Sequence, residues 1–393
     1  LHLSIRRQRQ MCIRDSLDPL RGFGFSAEIQ VSDVLGNHVI NAGGMLTNSF
    51  DQSDLFAEYK YLKYWIDFKV RIIRQSIYFE NDAENFLRQS YKLNGMIVGA
   101  AVPLTNKFRF ELNPFFQQTS FSNLQYESVN ANYTVDYAED SRVWYSGFHL
   151  KGIFDNTEER GFNILQGTRA LVELQYNQSF SKNKSFNLIR FDLRHYQKIH
   201  NELTLATRIF IGKSFGINPQ KFLLGGVPNW VLATTKEHSG EDPLNVANEI
   251  DNSNLLFTEF VNHMRGYDLN EKYGTAAMLI NIELKFPVFQ YLSMFPVKST
   301  FLRNFMLVAF TDAGTAWDGK IPITRKVSII FIDYEETPFK ANLANYASPW
   351  LASCGFGLRT ALLGYYLKID YARPIEDFEI KTAKLTLSFG LDF

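Results

Sequence analysis

The chain ends on KLTLSFGLDF, Lys384 to Phe393, a stretch that alternates without a fault. Leu385, Leu387, Phe389, Leu391 and Phe393 fall on one face of an extended strand, and Lys384, Thr386, Ser388, Gly390 and Asp392 fall on the other, because strand side chains repeat with period two. Chain ends usually have little to bury against and turn polar. An apolar face that runs out to a final aromatic therefore calls for apolar surroundings at the end of the strand.

The same pattern recurs upstream. Phe108, Phe110 and Leu112 alternate with Arg109, Glu111 and Asn113, and Ala170, Val172, Leu174 and Tyr176 with Arg169, Glu173, Gln175 and Asn177. Ile280, Ile282, Leu284 and Phe286 alternate with Asn281, Glu283 and Lys285. A soluble sandwich could send such polar rows to solvent, so polarity alone does not decide. The number of these strands, their length of about ten residues and the aromatics near their ends match an outer-membrane barrel. Candidate strands are 24–32, 38–47, 55–62, 65–75, 91–101, 107–118, 143–153, 167–180, 186–196, 202–214, 275–288, 303–313, 351–361, 364–373 and 384–393. That gives about fifteen strands, and single-chain bacterial barrels have an even number. The expected fold is all-β, a transmembrane antiparallel β-barrel of the sixteen-strand type, with its N-terminal strand missing. Three long connections, about 119–142, 215–274 and 314–350, are rich in Asn, Asp, Ser, Gly and Pro and read as outer loops.

Composition narrows the function. Forty-one basic and forty-one acidic residues cancel, which removes the basic surplus a nucleic-acid binder uses to neutralise phosphates. No window approaches the roughly 18 unbroken apolar residues of a spanning helix. Alternation hides a β-barrel from the same test. Two cysteines, Cys12 and Cys354, are too few for a disulfide framework. Residues 1–20 stand apart: IRRQRQMCIRDS, Ile5 to Ser16, is basic, has no strand or helix period and lacks the apolar core of a signal peptide. This stretch reads as a non-native, adapter-like segment, and the barrel as residues 21–393.

In the C-terminal half a series of motifs appears in order. MRGYDLNEKYG (Met264 to Gly274) is followed by NIELKFPV (Asn281 to Val288), FTDAGTAW (Phe310 to Trp317), GFGLRT (Gly355 to Thr360), LKIDYARP (Leu367 to Pro374) and the terminal strand. The series resembles the C-terminal barrel of the Omp85 superfamily, the BamA or surface-antigen family. The likeness covers roughly 22–393 and is most specific from residue 222 onward.

The resemblance implies sixteen strands and a long sixth outer loop folded into the lumen, with a hydrophobic-Arg-Gly-aromatic tip at Met264, Arg265, Gly266 and Tyr267. It implies that Arg265 docks on two wall acids, Glu283 and Asp312. An Arg inside a barrel is costly unless paired, since its guanidinium keeps its proton, and Gly266 would allow the tight turn at the tip. A solvated Arg265 beside a wet acidic wall is the plainer alternative. The resemblance further implies the outer membrane of a Gram-negative-type bacterium, and Leu385, Leu387, Phe389, Leu391 and Phe393 as an assembly signal. Expected partners are outer-membrane lipids, the barrel assembly machinery and client outer-membrane or exported polypeptides. The implied role is insertion of outer-membrane proteins or polypeptide translocation. The alternative keeps the fold and makes the barrel an anchor or export device for a missing N-terminal propeller or hydrolase domain.

One departure is an insertion at about 231–262, rich in Asn, Asp and Glu, with an apolar LLFTEF patch (Leu255 to Phe260). It would cap the barrel, contact a partner or form a plain surface loop. No catalytic set, cofactor or metal site is read from the sequence. GKSFG (Gly212 to Gly216) has nucleophile-elbow spacing but lies at a strand end ahead of Asn218-Pro219, where that elbow needs a strand-turn-helix context. His195 and His200 are too awkwardly spaced for a metal pair, and Gly355 and Gly357 belong to a strand.

Overall fold

Each of the fifteen stretches marked out by alternation contains a strand in the structure, a computed structural model, although 303–305 are the end of a short helix and a turn and 391–393 lie outside the described residues. The structure describes residues 9–390 except 19–21, 48–52, 82–86, 124–139, 162, 182, 201, 237, 239–241, 245–252, 294–296, 322–328, 337–338, 347, 363–364 and 378. One sheet of eighteen strands dominates the described residues. Two of its strands, Glu158–Gly161 and Glu379–Ile380, are short flaps. The other sixteen run in chain order: β1 (Arg9–Asp18), β2 (Gly22–Ser32), β3 (His38–Thr47), β4 (Ser53–Tyr61), β5 (Asp67–Asn81), β6 (Leu87–Thr105), β7 (Phe108–Asn123), β8 (Ser141–Asp155), β9 (Ile164–Ser179), β10 (Phe186–His200), β11 (Leu203–Gly216), β12 (Ala276–Phe286), β13 (Met306–Trp317), β14 (Leu351–Leu362), β15 (Tyr365–Glu376) and β16 (Lys384–Phe389). Each pairs antiparallel with its neighbour in sequence. The fold is a transmembrane antiparallel β-barrel of the sixteen-strand type.

The strand beyond the expected fifteen is β1, inside the segment set aside as foreign. It keeps an unbroken register with β2, from Arg9 opposite Val31 to Asp18 opposite Gly22. Ladder bonds join main chain to main chain, so a stretch without side-chain alternation can form them, and periodicity alone could not locate this strand. Residues 1–8 and 19–20 lie outside the described residues, as do Leu391 and Phe393 of the terminal pattern.

The barrel is apolar on the outside and polar within. On β12, Ile282 and Leu284 are open on the outer face while Asn281, Glu283 and Lys285 are buried inside. Ile72, Val98, Leu112, Val172, Leu307 and Phe356 are likewise exposed. On β16, Leu385 is 69% and Leu387 38% exposed, while Thr386 and Ser388 are buried. In water such a face would be a large liability; in hydrocarbon it is the required surface. No helix among the described residues is long and apolar enough to cross a membrane, so the crossing rests on strands.

A meander places alternate connections at opposite ends. The three long connections, after β7, β11 and β13, therefore share one end, and short turns such as Asn106–Lys107 lie at the other. The connection after β13 contains a hairpin, Ile329–Glu336 paired with Phe339–Tyr346, where the sequence predicts only loop. The connection after β11 turns back into the lumen. Its Phe222–Leu224 pairs parallel with Glu259–Val261 and antiparallel with Lys272–Gly274, which forms a small sheet against the inner wall. Leu224, Val261, Met264 and Tyr267 share a buried cluster there with Phe210, Leu279 and Leu351 of the wall.

Candidate functional site

The tip of this loop, Met264 to Tyr267, is completely buried, and Arg265 is only 2% exposed. β12 and β13 present the wall opposite it. Inward parity on β12 gives Asn281, Glu283 and Lys285, and on β13 it gives Phe310 and Asp312. The register places Asn281 opposite Asp312 and Glu283 opposite Phe310, so the two acids sit diagonally on adjacent strands, within reach of one guanidinium.

Arg265 fills that gap. Its Nε donates to Asp312 Oδ2 at 2.7 Å and its Nη2 to Asp312 Oδ1 at 2.6 Å, a fork-to-fork pair. Its Nη1 donates to Glu283 Oε1 at 2.6 Å. The Arg265 backbone N–H also donates to Asp312 Oδ2 at 3.2 Å, and the guanidinium lies 3.7 Å from the Phe310 ring centroid. Bidentate, charge-assisted bonds of this kind are the strong ones. Burial works against the Arg265 charge, but Asp312 and Glu283 outweigh it, and its pKa lies well above the ordinary arginine value. The cluster is close to neutral, because Lys285 Nζ lies 3.5 Å from the other Glu283 oxygen. Asn281 ties wall to loop: its Nδ2 donates to Asp312 Oδ1 at 2.7 Å and to the His263 carbonyl at 2.6 Å.

Gly266 follows with φ +89°, and a Cβ there would come within 3.2 Å of Ala372 Cβ. Both the left-handed backbone and the close approach to β15 favour glycine. Tyr267 then reaches across β14 and β15, where its hydroxyl donates to the carbonyls of Ala352 (2.9 Å) and Ile375 (3.1 Å). Asp268 continues the contact to β16 through Lys384 Nζ at 2.8 Å.

The insertion at 231–262 turns inward as well. Leu255 packs with Ile77, Tyr91 and Phe121 of β5, β6 and β7. The Phe257 ring lies 5.1 Å from those of both Tyr145 and Phe186, on β8 and β10. Glu259 Oε1 accepts from Arg190 Nη1 at 2.8 Å. The apolar patch is thus a foot planted on the wall opposite the Arg265 cluster.

Sequence reasoning named Arg265, Gly266, Tyr267, Glu283 and Asp312, and the structure brings all five together. It missed the ring of Phe310 under the guanidinium and the bridge made by Asn281. The inward parity of both residues with the named acids was the available signal. The motifs set aside remain separate. Ser214 of GKSFG donates to the Asn187 carbonyl and accepts from the Gln220 N–H. His195 meets Thr168, whereas His200 meets Tyr291. Among the described residues no group of three or more His, Cys, Asp or Glu side chains could hold a metal ion.

A family model described as the Omp85 superfamily domain matches residues 49–393. No curated protein matches significantly by sequence. Among solved structures, BamA from Haemophilus ducreyi lacking POTRA domains 1–3 aligns with a TM-score of 0.62 at 14% identity, over 98% of this chain and 71% of that one. CdiB from Acinetobacter baumannii aligns at 0.52 and 13% identity, covering 98% of this chain and 59% of its own. CdiB from Escherichia coli aligns at 0.51 and 10% identity, covering 96% and 61%. The chain spans about three fifths of the CdiB proteins. With the family matched over most of its length and the barrel shared with these structures, the chain belongs to the Omp85 superfamily.

Proposed function

We propose that this Omp85 barrel works in the outer membrane of a Gram-negative-type bacterium, where it inserts outer-membrane proteins or moves polypeptides across the membrane. The loop carrying Arg265, Gly266 and Tyr267 is the gate of its lumen, locked on Glu283 and Asp312. One observation carries the reading: a buried, doubly paired arginine holds a loop that braces opposite walls of the barrel. A device that opens its lumen in use needs it closed at rest, and a loop held at one buried cluster supplies that closure. No bond chemistry is invoked. Unpaired strand edges can template incoming strands, and the partners in this reading are outer-membrane lipids, the barrel assembly machinery and client polypeptides.

The test is reconstitution of the refolded chain in liposomes, with an unfolded client barrel added and its folding followed by the difference in gel mobility between unheated and boiled samples. Client folding faster than in protein-free liposomes supports the reading. Equal rates would retire it in favour of an anchor or export barrel for a separate N-terminal propeller or hydrolase domain.

A further inference from the structure

The connection between β8 and β9 lies at the end of the short turns, where the Asp155 N–H donates to the Lys107 carbonyl at 2.7 Å. Unlike the turn at Asn106–Lys107, it carries a flap. The arms of the flap, Glu158–Gly161 and Ile164–Gln166, pair antiparallel with each other. Both lie beyond the ladders of the wall, which begin with Gly167 opposite Tyr196 and Arg169 opposite Asp155.

A hinge sets the direction of the flap. Gly167 has φ +123°, and a Cβ there would come within 2.6 Å of the Asn156 carbonyl oxygen, so the bend requires glycine. The Thr168 N–H donates to Asn156 Oδ1 at 2.6 Å, and the Asn156 N–H to the Thr168 carbonyl at 3.0 Å. Asp155 accepts from the Thr157 N–H and hydroxyl and from Arg169 Nε.

From this hinge the flap reaches inward to other strands of the wall. Leu165 packs on Tyr196 and Ala206 of β10 and β11. Ile164 is 3% exposed and shares a buried cluster with Met306, Val308 and Phe310 of β13 and Ala372 of β15. Asn163 has φ +61°, a conformation Asn tolerates, and its Nδ2 donates to the Tyr366 hydroxyl of β15 at 2.7 Å. Turns ordinarily run over the surface, whereas this one is buried at its tip. The same cluster meets the outer loop as well: Phe310 lies under the Arg265 guanidinium, and Ala372 lies against Gly266.

We propose that this flap is a second closure of the lumen, at the end opposite the outer loop, hinged at Gly167 and seated on Met306, Val308 and Tyr366. The two closures stand in series and share one apolar column, with the flap at Ile164 and the loop at Arg265. The lumen opens through only when both are withdrawn. The closure needs the barrel and no insertion activity.

The first arm of the test leaves Arg265 in place. Val308, 1% exposed, is replaced by Cys in a chain whose Cys12 and Cys354 are Ser, and maleimide labelling of the refolded protein is followed in detergent micelles. When opening is fast compared with labelling, the rate follows the open population. Ile164→Ala should accelerate labelling about thirtyfold, and Tyr366→Phe, which removes one hydrogen bond, about fivefold. Ile164 stands outside the wall ladders, so the barrel keeps its fold. The second arm is ion conductance in planar bilayers. Ile164→Asp puts an unpaired charge into the seat and expels the flap, and Ile164→Asp/Arg265→Ala should conduct more than either single variant. Labelling within about twofold of the parent in both Ile164→Ala and Tyr366→Phe overturns the proposal. Equal conductance of Arg265→Ala with and without Ile164→Asp overturns it too. Full conductance in Ile164→Asp alone would sink the loop as a gate and leave the flap as the closure, and a barrel that speeds no client sinks only the insertion reading.

Discussion

Removing Arg265 tests whether the buried cluster holds the loop or merely accompanies it. Arg265→Ala leaves Asp312 and Glu283 facing each other at 0% and 1% side-chain exposure. Breaking a buried ion pair from one side typically costs about 3–5 kcal/mol, because the remaining charge has lost its partner. Two contacts soften the loss here. Asn281 still donates to Asp312, and Lys285 remains near Glu283. The cost therefore falls at the lower end, about 3 kcal/mol, and lowers the ratio of docked to free loop roughly a hundredfold. The readout is maleimide labelling of Met264→Cys in a background lacking the native cysteines, since Met264 is fully buried beside Arg265. When opening is fast compared with labelling, the rate follows the open population. Labelling should accelerate roughly a hundredfold in Arg265→Ala. Asp312→Asn alone should do less, by about 1.5–3 kcal/mol, because Glu283 still holds the guanidinium. The double variant should cost less than the sum of the two singles, as groups in one network do. A labelling rate in Arg265→Ala within about threefold of the unaltered chain, or strict additivity, would refute the view that this arginine holds the loop.

Three further outcomes are expected. Burial raises the Asp268 pKa, but hydrogen bonds from Lys384 and Thr234 outweigh it, so the folded value lies below the ordinary 3.8. Its contribution to stability is complete above that ordinary value and is lost as pH falls through the lower folded one; carboxyl NMR should show Asp268 titrating below 3.8 and moving upward in Lys384→Met. Leu255→Ala should cost about 2–5 kcal/mol of loop docking, seen as faster labelling of Met264→Cys with Arg265 intact. Ile282→Lys places a charge on the outer face and should cost up to about 2–4 kcal/mol in a urea titration of folding into bilayers, while a detergent-solubilised sample should lose less.

Much of the barrel was legible because a membrane wall imposes one simple rule on every strand, apolar outward and polar inward. β12 obeys it nearly residue by residue from Met278 onward, and β9 does so over its second half, from Val172. β1 was not legible because its ladder consists of main-chain bonds, which side-chain patterning does not encode. The hairpin at Ile329–Tyr346 was missed because it stands outside the main sheet and escapes that rule. At the site, the motif fixed which residues meet, but not how the loop is carried to them. The LLFTEF patch was visible as apolar, yet nothing in its composition says which wall it meets. That depends on contacts between Leu255 and residues as distant in sequence as Ile77, and such contacts leave no periodic trace. The pairing of Trp230 with Ser388 was the least legible feature, since one bridge has no length over which a period could show.

One loop joins the Arg265 cluster on β12 and β13 to contacts on β16, and this couples the two places. β16 joins β15 through six residue pairs, Leu367–Phe389 to Ala372–Lys384, whereas the ladder between β6 and β7 runs from Gln89–Asn123 to Thr105–Phe108. At roughly 0.5–1.5 kcal/mol net for each hydrogen bond, the described part of β16 is weakly held, and contacts from the lumen loop form a large share of what fixes it. Those contacts, Asp268 to Lys384 and Asn229–Val231 to Leu387 and Phe389, lie at the two ends of the loop. The Gly226–Met264 bridge and the Thr235–Leu269 bridge tie these two parts of the loop to each other. Releasing Arg265 from β12 and β13 should therefore loosen both contacts with β16, although neither touches the arginine. In Arg265→Ala a cysteine replacing Trp230, which is buried in the intact protein, should react with maleimide faster than it does with Arg265 in place. Unchanged labelling of Trp230→Cys in Arg265→Ala, with Met264→Cys labelling accelerated, would mean that the loop opens at its tip alone and that its contacts with β16 hold independently of the arginine.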